Sequence, residues 1–128
     1  MPIVRDTLHR QGVLLTVASR IAWPLVKMLR PDKHDLIDVL FSGRRDLNND
    51  HRTDHLFTLR CGPYDGNKRG LLVLLSRTGS DYIAFTTEPA WGQDVTGALP
   101  DLDQVRVSPK TLRPYFTRNN RQFPFTKL

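Results

Sequence analysis

The sequence predicts an α+β fold in which short, mostly antiparallel strands form a small, closed or half-open barrel with helices at its ends. Apolar residues recur at helical spacing before Pro31, and after it the apolar runs become short and often alternate with polar residues. Clusters of Gly, Pro, Asn, Asp and Ser separate these runs, as is typical of turns between strands. A length of 128 residues fits one domain, so we expect residues 1–128 to fold as a single unit.

The N-terminal segment, residues 1–31, is predicted to be a helical extension. Pro24 is expected to kink or divide this helix, and Pro31 to end it. We expect its apolar face to pack on its own domain, and the alternative is a helix that docks on a membrane surface or on a partner. The residues that define the apolar face are Leu14, Ala18, Ile21, Ala22, Leu25 and Leu29.

Five apolar runs after Pro31 are predicted to be strands. The polar stretch between the first two, Ser42–His55, is expected to be a long mobile loop because nothing in it is suited to a core. The predicted strands are Leu36–Phe41, Leu56–Cys61, Leu71–Leu75, Tyr82–Thr86 and Gln104–Val107.

A short C-terminal helix is expected after the last of these strands. Ser108 is a suitable N-cap, and Pro109 suits the first helical position. The helix is expected to run into Leu112 and to stop near Pro114. Residues 116–128 are basic and aromatic, and they are predicted to form either an edge strand or a tail.

Charge is the strongest compositional signal. The formal net charge is +6 and the pI is about 10.0. No acidic residue follows Asp103, so the C-terminal segment should attract phosphate groups. Two alternatives stay open, namely a basic face that only keeps the protein soluble and a surface that docks an acidic protein. The cations after Asp103 are Arg106, Lys110, Arg113, Arg118, Arg121 and Lys127.

Several classes of protein are disfavoured by composition. No stretch approaches the roughly 20 uninterrupted apolar residues of a membrane-spanning helix. The single cysteine, Cys61, cannot form an internal disulfide, which favours a reducing, cytoplasmic setting.

The sequence predicts neither a metal site nor a cofactor. The four histidines do not pair with cysteines at zinc-ligand spacing. Asp50 and Asp54, beside His51 and His55, offer possible cation ligands, but a solvated loop is the favoured interpretation. No phosphate-binding glycine loop, nucleophile elbow or dinucleotide fingerprint is present.

Four segments in a fixed order carry a resemblance to a known family. An Arg precedes a buried strand in 67–76, a Thr-Thr pair ends the next strand in 81–87, Ala-Leu-Pro follows in 97–100, and a Val-Arg strand leads to a helix start in 104–112. This order resembles the MazF/PemK family of plasmid-maintenance and growth-inhibitor toxins over residues of about 35–115. The chain departs from the family at Gly70, where the family usually has proline after the arginine.

The resemblance implies an SH3-like barrel that forms a homodimer and cleaves single-stranded RNA without a metal, as a toxin-like endoribonuclease. The ribose 2′-oxygen attacks the phosphorus, leaving a cyclic phosphate and a 5′-hydroxyl. Arg69 would stabilise the pentavalent phosphorane, and Thr86 would position the 2′-hydroxyl or the phosphate. An acidic antitoxin protein would be the partner. The implied RNA-binding residues are Arg44, Arg45, His51, Arg52, Thr87 and Trp91.

A second function stays open beside the ribonuclease. It is a non-catalytic module on a similar barrel that binds nucleic acid or a protein, for example a phage or plasmid accessory or inhibitory factor. On this interpretation Arg69 flanks a strand and holds a carboxylate, and Thr86 and Thr87 follow strand propensity alone. Trp91 would then cap the core.

Overall fold

The computed structural model describes residues 2–29, 36–62, 68–77, 81–87, 104–118 and 120–128. These described residues form two helices followed by eight strands. The helices are α1 (Pro2–Arg10) and α2 (Leu15–Leu29). The strands are β1 (Leu36–Arg45), β2 (Asp54–Gly62), β3 (Lys68–Ser76), β4 (Tyr82–Thr86), β5 (Arg106–Val107), β6 (Pro114–Arg118), β7 (Arg121–Pro124) and β8 (Thr126–Lys127).

The strands form two sheets. The larger has the order β1-β2-β3-β4-β8, and the smaller has the order β5-β6-β7. Every described strand pair is antiparallel, so the predicted α+β class with mostly antiparallel strands is confirmed. The two sheets are not joined into a closed barrel within the described residues.

The N-terminal segment is two helices rather than the predicted single one. They separate at Gly12, whose positive φ of 98° suits glycine. The Val13 N–H donates to the Leu8 carbonyl at 3.0 Å and the Gly12 N–H donates to the His9 carbonyl at 3.1 Å, which is the Schellman pattern of a helix end. Pro24 lies inside α2, and the helix continues past it to Leu29. No described helix is long and apolar enough to cross a membrane.

One face of the larger sheet is covered by this helical layer. Side chains of the helical layer form one buried cluster with residues of β1 to β4. The strand residues of the cluster lie mostly two apart in sequence, since alternate side chains of a strand point to the same face of the sheet. The cluster residues of the helical layer, including Val13 between the two helices, are Val4, Leu8, Val13, Val17, Ala18, Ile21, Ala22, Leu25 and Val26. The sheet residues are Val39, Phe57, Leu59, Cys61, Leu72, Leu74 and Ala84.

The opposite face of the larger sheet is covered by the C-terminal segment. Val105 and Phe125 are buried there, and Val107 and Phe116 are half-buried. Phe116 stacks on Phe123 with ring centroids 5.2 Å apart. The sheet residues under this second layer are Leu56, Leu71, Val73, Leu75 and Phe85. The molecule therefore has three layers, with the larger sheet in the middle.

The structure differs from the sequence prediction in two regions, a predicted loop and a predicted helix. The expected long loop at Ser42–His55 is shorter, because β1 continues through a bulge between Phe41 and Gly43 to Arg45, and β2 begins at Asp54. The expected C-terminal helix is a single turn in which the Leu112 N–H donates to the Ser108 carbonyl at 2.8 Å.

The basic segment 116–128 is not a free tail. Its described residues contribute to β6, β7 and β8, and β8 adds to the edge of the larger sheet beside β4.

Candidate nucleic-acid interface

The two threonines of the predicted site, at the end of β4, are both buried. Thr86 lies opposite Leu72 and is 0% exposed, and its Oγ1 has no hydrogen-bond partner among the described residues. Thr87 bonds with Leu71 twice, since its N–H donates to the Leu71 carbonyl and its Oγ1 accepts from the Leu71 N–H, both at 3.2 Å. Neither hydroxyl is offered to the surface as the ribonuclease prediction requires.

The remaining predicted residues of the β3–β4 end are described in part. The backbone of Arg69 lies opposite Arg60 in the β2–β3 ladder, and the Arg69 side chain falls outside the described part of the structure. Trp91 also falls outside the described residues. Arg60, which the sequence analysis did not select, has a buried Nε without a described hydrogen-bond partner.

The predicted phosphate-gripping cations lie on the β1–β2 hairpin. In the backbone register at the end of the hairpin, Arg44 is opposite His55 and Arg45 is opposite Asp54. His51 and Arg52 are exposed in the loop. In the β2–β3 register, His55 is opposite Leu74.

The loop end of this hairpin is far from the backbone of Arg69. Leu74, which is opposite His55, lies five positions along β3 from Arg69, which corresponds to about 17 Å along a strand. The structure therefore does not bring the hairpin cations and the predicted catalytic arginine to the same end of the sheet.

The hairpin loop is held by a carboxylate. Asp46 accepts hydrogen bonds from the backbone N–H groups of Asp50 at 3.1 Å and His51 at 2.8 Å. Partial burial acts to raise the pKa of Asp46, but these bonds and one from the Asn49 N–H hold it below its usual value. Asn49 and His51 have positive φ values of 62° and 66°, so the loop has a defined, tight conformation.

A second carboxylate, Asp54, ties the hairpin to the neighbouring strand. It is fully buried and accepts from the N–H groups of Ser76 at 2.7 Å and Leu47 at 2.9 Å. Burial raises its pKa against the effect of these two donors, and the charges of Asp50 and Asp46 add to the increase. The three carboxylates have oxygens within 4.8 Å of one another and are the best candidate cation ligands among the described residues. The hydrogen bonds that these carboxylates accept from backbone N–H groups already account for their positions.

A histidine–tyrosine pair beside the hairpin was missed by sequence reasoning. The Tyr82 hydroxyl lies 3.2 Å from His55 Nε2, and the two rings meet edge to face at 5.4 Å between centroids. Burial lowers the pKa of His55, and the charge of Arg44 lowers it further. The pair links β2 to β4, and the contact is invisible in sequence because 27 residues separate the two.

The C-terminal layer carries a cationic surface. Each cation of this layer whose side chain is described is exposed, and the sequence places no carboxylate side chain among them. The exposed cations are Arg106, Lys110, Arg113, Arg121 and Lys127. Basicity of this segment was predicted, as was a strand at Gln104–Val107, and an edge strand was one of two predictions for residues 116–128, but the three-stranded sheet was not predicted. We call the described part of residues 104–128, which includes the small sheet and the edge strand β8 of the larger one, the C-terminal sheet surface.

Aromatic and polar side chains accompany Arg106 on the outer face of the small sheet. Arg106 is opposite Tyr115 and Thr117 is opposite Gln122, so these four share the outer face of the small sheet. Arg121 is two residues from Phe123 and so lies on the other face of the small sheet, where its exposed guanidinium lies over the Phe123 ring at 5.5 Å from the centroid, a cation–π contact.

The turn at the edge of this surface exposes an apolar side chain. Leu112 is 67% exposed and has a positive φ of 55°, a strained conformation for a residue with a Cβ. Ser108 closes the turn by accepting on its Oγ from the N–H groups of Lys110 and Thr111. The turn therefore presents Leu112 between two cations, Lys110 and Arg113.

Comparison of the chain with protein-family models, curated proteins and solved structures gave no match.

Proposed function

We propose that this protein is a non-catalytic module that binds single-stranded RNA through the C-terminal sheet surface. The observation that carries the proposal is the set of five exposed cations in the described part of that surface, in a segment without any Asp or Glu. Neutralising phosphates with such cations releases condensed counterions and supplies most of the sequence-independent affinity for nucleic acid.

The residue types of this surface support the same ligand. Arginine donates from a planar fork that matches two phosphate oxygens, and Arg106, Arg113 and Arg121 are exposed to do so. Tyr115 is half-buried on the outer face and leaves part of its ring for contact with a base. An acidic protein could bind the same cations, but its binding would not use the exposed part of the Tyr115 ring.

The toxin-like endoribonuclease, with its SH3-like barrel, homodimer and acidic antitoxin, stays a prediction with less support. The Thr86 hydroxyl is fully buried, and the hairpin cations lie at the other end of the sheet from the backbone of Arg69. A 2′-hydroxyl can be positioned only by a group that reaches it, within about 3 Å.

Incubation with a fluorescent single-stranded RNA in EDTA tests both functions together. We expect an increase in anisotropy that weakens steeply between 50 and 200 mM salt, with the RNA intact on a denaturing gel. Discrete RNA fragments that disappear in Arg69→Ala would overturn the non-catalytic half of the proposal and establish the ribonuclease. Absence of binding at low salt would overturn the proposal as a whole.

A further inference from the structure

The outward face of α2 carries a tryptophan between two cations. Trp23 is 59% exposed, although a tryptophan is usually largely buried because of its apolar area. Arg20 precedes it by three residues and Lys27 follows it by four, so the three lie on the same side of the helix. The apolar face of α2 is packed on the larger sheet, so Trp23 is not part of that core.

A groove runs beside this tryptophan, where α2 meets the edge strand β8. It has a volume of about 380 Å³, and its walls are Trp23, Pro24, Lys27, Met28, Lys127 and Leu128. Pro24, Lys127 and Leu128 also line an adjoining groove of about 240 Å³, so the two are continuous. The Leu128 N–H donates to the Ala84 carbonyl at 2.9 Å, which fixes this wall against β4.

The groove is positively charged. Four cations line its two parts, Arg20, Lys27, Arg77 and Lys127. Of these four, Arg20 is paired with the carboxylate of Asp81 at 2.6 Å. Among the described residues, no carboxylate lies within salt-bridge distance of Lys27 or Lys127, and both side chains are exposed.

We propose that this groove binds one unpaired base of a single-stranded nucleic acid, which stacks on Trp23 while its flanking phosphates contact Lys27 and Lys127. The inference rests on the proposed function, because the same strand would continue from the C-terminal sheet surface through Lys127. Stacking on an aromatic side chain needs a free base face, so a single strand fits the groove and a duplex does not.

The alternative ligand for a basic helix with an exposed tryptophan is an anionic membrane. A helix that lies in a bilayer interface directs its apolar face toward the lipid. The apolar face of α2 is occupied by the sheet, and Thr16 and Ser19 lie exposed beside Trp23. A concave site with one aromatic wall therefore fits a base better than a bilayer surface.

Tryptophan fluorescence tests the inference in a Trp91→Phe background, where Trp23 is the remaining indole. The probe is a 5′-labelled oligouridine, so that anisotropy reports binding while Trp23 emission reports stacking. We expect quenching of Trp23 with the same midpoint as the anisotropy change. Trp23→Ala should weaken binding by about 5- to 150-fold, and Trp23→Phe by less, since phenylalanine still stacks. Far-ultraviolet circular dichroism checks that each variant is folded.

The outcomes separate this inference from the proposed function. Binding of oligouridine with unchanged Trp23 emission and unaltered affinity in Trp23→Ala would overturn the groove and leave the C-terminal sheet surface intact. Equal quenching by a duplex of the same length would overturn the single-strand requirement. A blue shift with phosphatidylserine vesicles, but no response to oligouridine, would overturn the inference in favour of a membrane surface. Loss of all oligouridine binding at low salt would remove the proposed function as well.

Discussion

The two layers that cover the larger sheet differ in what their residues do. The helical layer contributes nine buried apolar residues from its described part, and its charges are interspersed with polar residues on the outer face. The C-terminal layer buries few side chains, with Phe125 and Val105 as its fully covered anchors, yet its exposed charges all have one sign. We infer that the helical layer mainly stabilises the fold and that the C-terminal layer mainly supplies the binding surface.

The largest expected effect is on the stability that the helical layer provides. Leu25→Ala should lower the free energy of unfolding by about 2–5 kcal/mol, because Leu25 is 0% exposed and its loss leaves a cavity. The matched control is Leu112→Ala in the C-terminal layer, which should change stability by less than about 0.5 kcal/mol because this side chain is mostly exposed. Urea denaturation measures both. Equal losses would contradict the division of roles.

The next effect concerns the hairpin rather than either layer. Asp54→Asn should destabilise the protein by about 1–3 kcal/mol, because an amide can accept only on its oxygen, and the NH₂ group would face a backbone N–H. Asp38→Asn is the control, since Asp38 is exposed on β1. A Tm for Asp54→Asn that equals that of the control would refute this role of the carboxylate.

The pH dependence of Asp54 has a definite sign. Its pKa in the folded protein lies above the ordinary value of 3.8, so the folded state binds a proton in a range where the unfolded state has lost it. The Asp54 contribution to stability is therefore most favourable below the unfolded pKa and decreases as pH rises through the folded pKa. The difference between wild type and Asp54→Asn should follow this trend in urea titrations from pH 3 upward.

His55 should produce a smaller effect of the opposite sign. Its pKa in the folded protein is below the ordinary value of 6.5, mainly through burial, so protonation favours the unfolded state. The His55 contribution to stability is present above pH 6.5 and decreases as pH falls toward the folded pKa. Arg44→Gln should raise the pKa of His55, as measured by NMR titration of its ring protons. An unchanged or lower pKa would show that Arg44 does not act on it.

The smallest predicted effect is stabilising and lies in the C-terminal layer. Leu112→Gly should raise the free energy of unfolding by about 0.5–1 kcal/mol, because glycine adopts a positive φ without a Cβ clash. A decrease would mean that the exposed leucine packs on something that stabilises it.

Local patterns predicted the elements well, and tertiary packing decided the rest. The predicted bounds of Tyr82–Thr86 match β4, since alternation and flanking turn residues define both ends. The end of α1 was missed because a single glycine can be tolerated within a helical pattern, and only the Schellman hydrogen bonds reveal the break. The prediction of a C-terminal helix was wrong, because Leu112 adopts a positive φ that turns the chain toward β6 after a single turn.

The candidate site was harder to predict for a physical reason. Thr86 looks accessible at the end of a strand, but its register opposite Leu72 places it beneath the helical layer. The distance between Arg44 and the backbone of Arg69 depends on the β2–β3 register, which sequence alone leaves open. The acid-free C-terminal segment was recognisable from composition, because charge bias does not depend on packing.

The most direct test compares the salt dependence of RNA affinity in two variants, each of which replaces three cationic residues by Gln. One variant changes Lys110, Arg113 and Arg121 to Gln, and the matched control changes Arg44, Arg45 and Arg52 to Gln, so both lose the same charge. We predict that the first lowers the slope of log affinity against log salt by about 2, since each single-strand phosphate contact contributes about 0.7, while the control leaves the slope near that of wild type. A larger reduction in the hairpin control would contradict the account and move the RNA site to the β1–β2 hairpin.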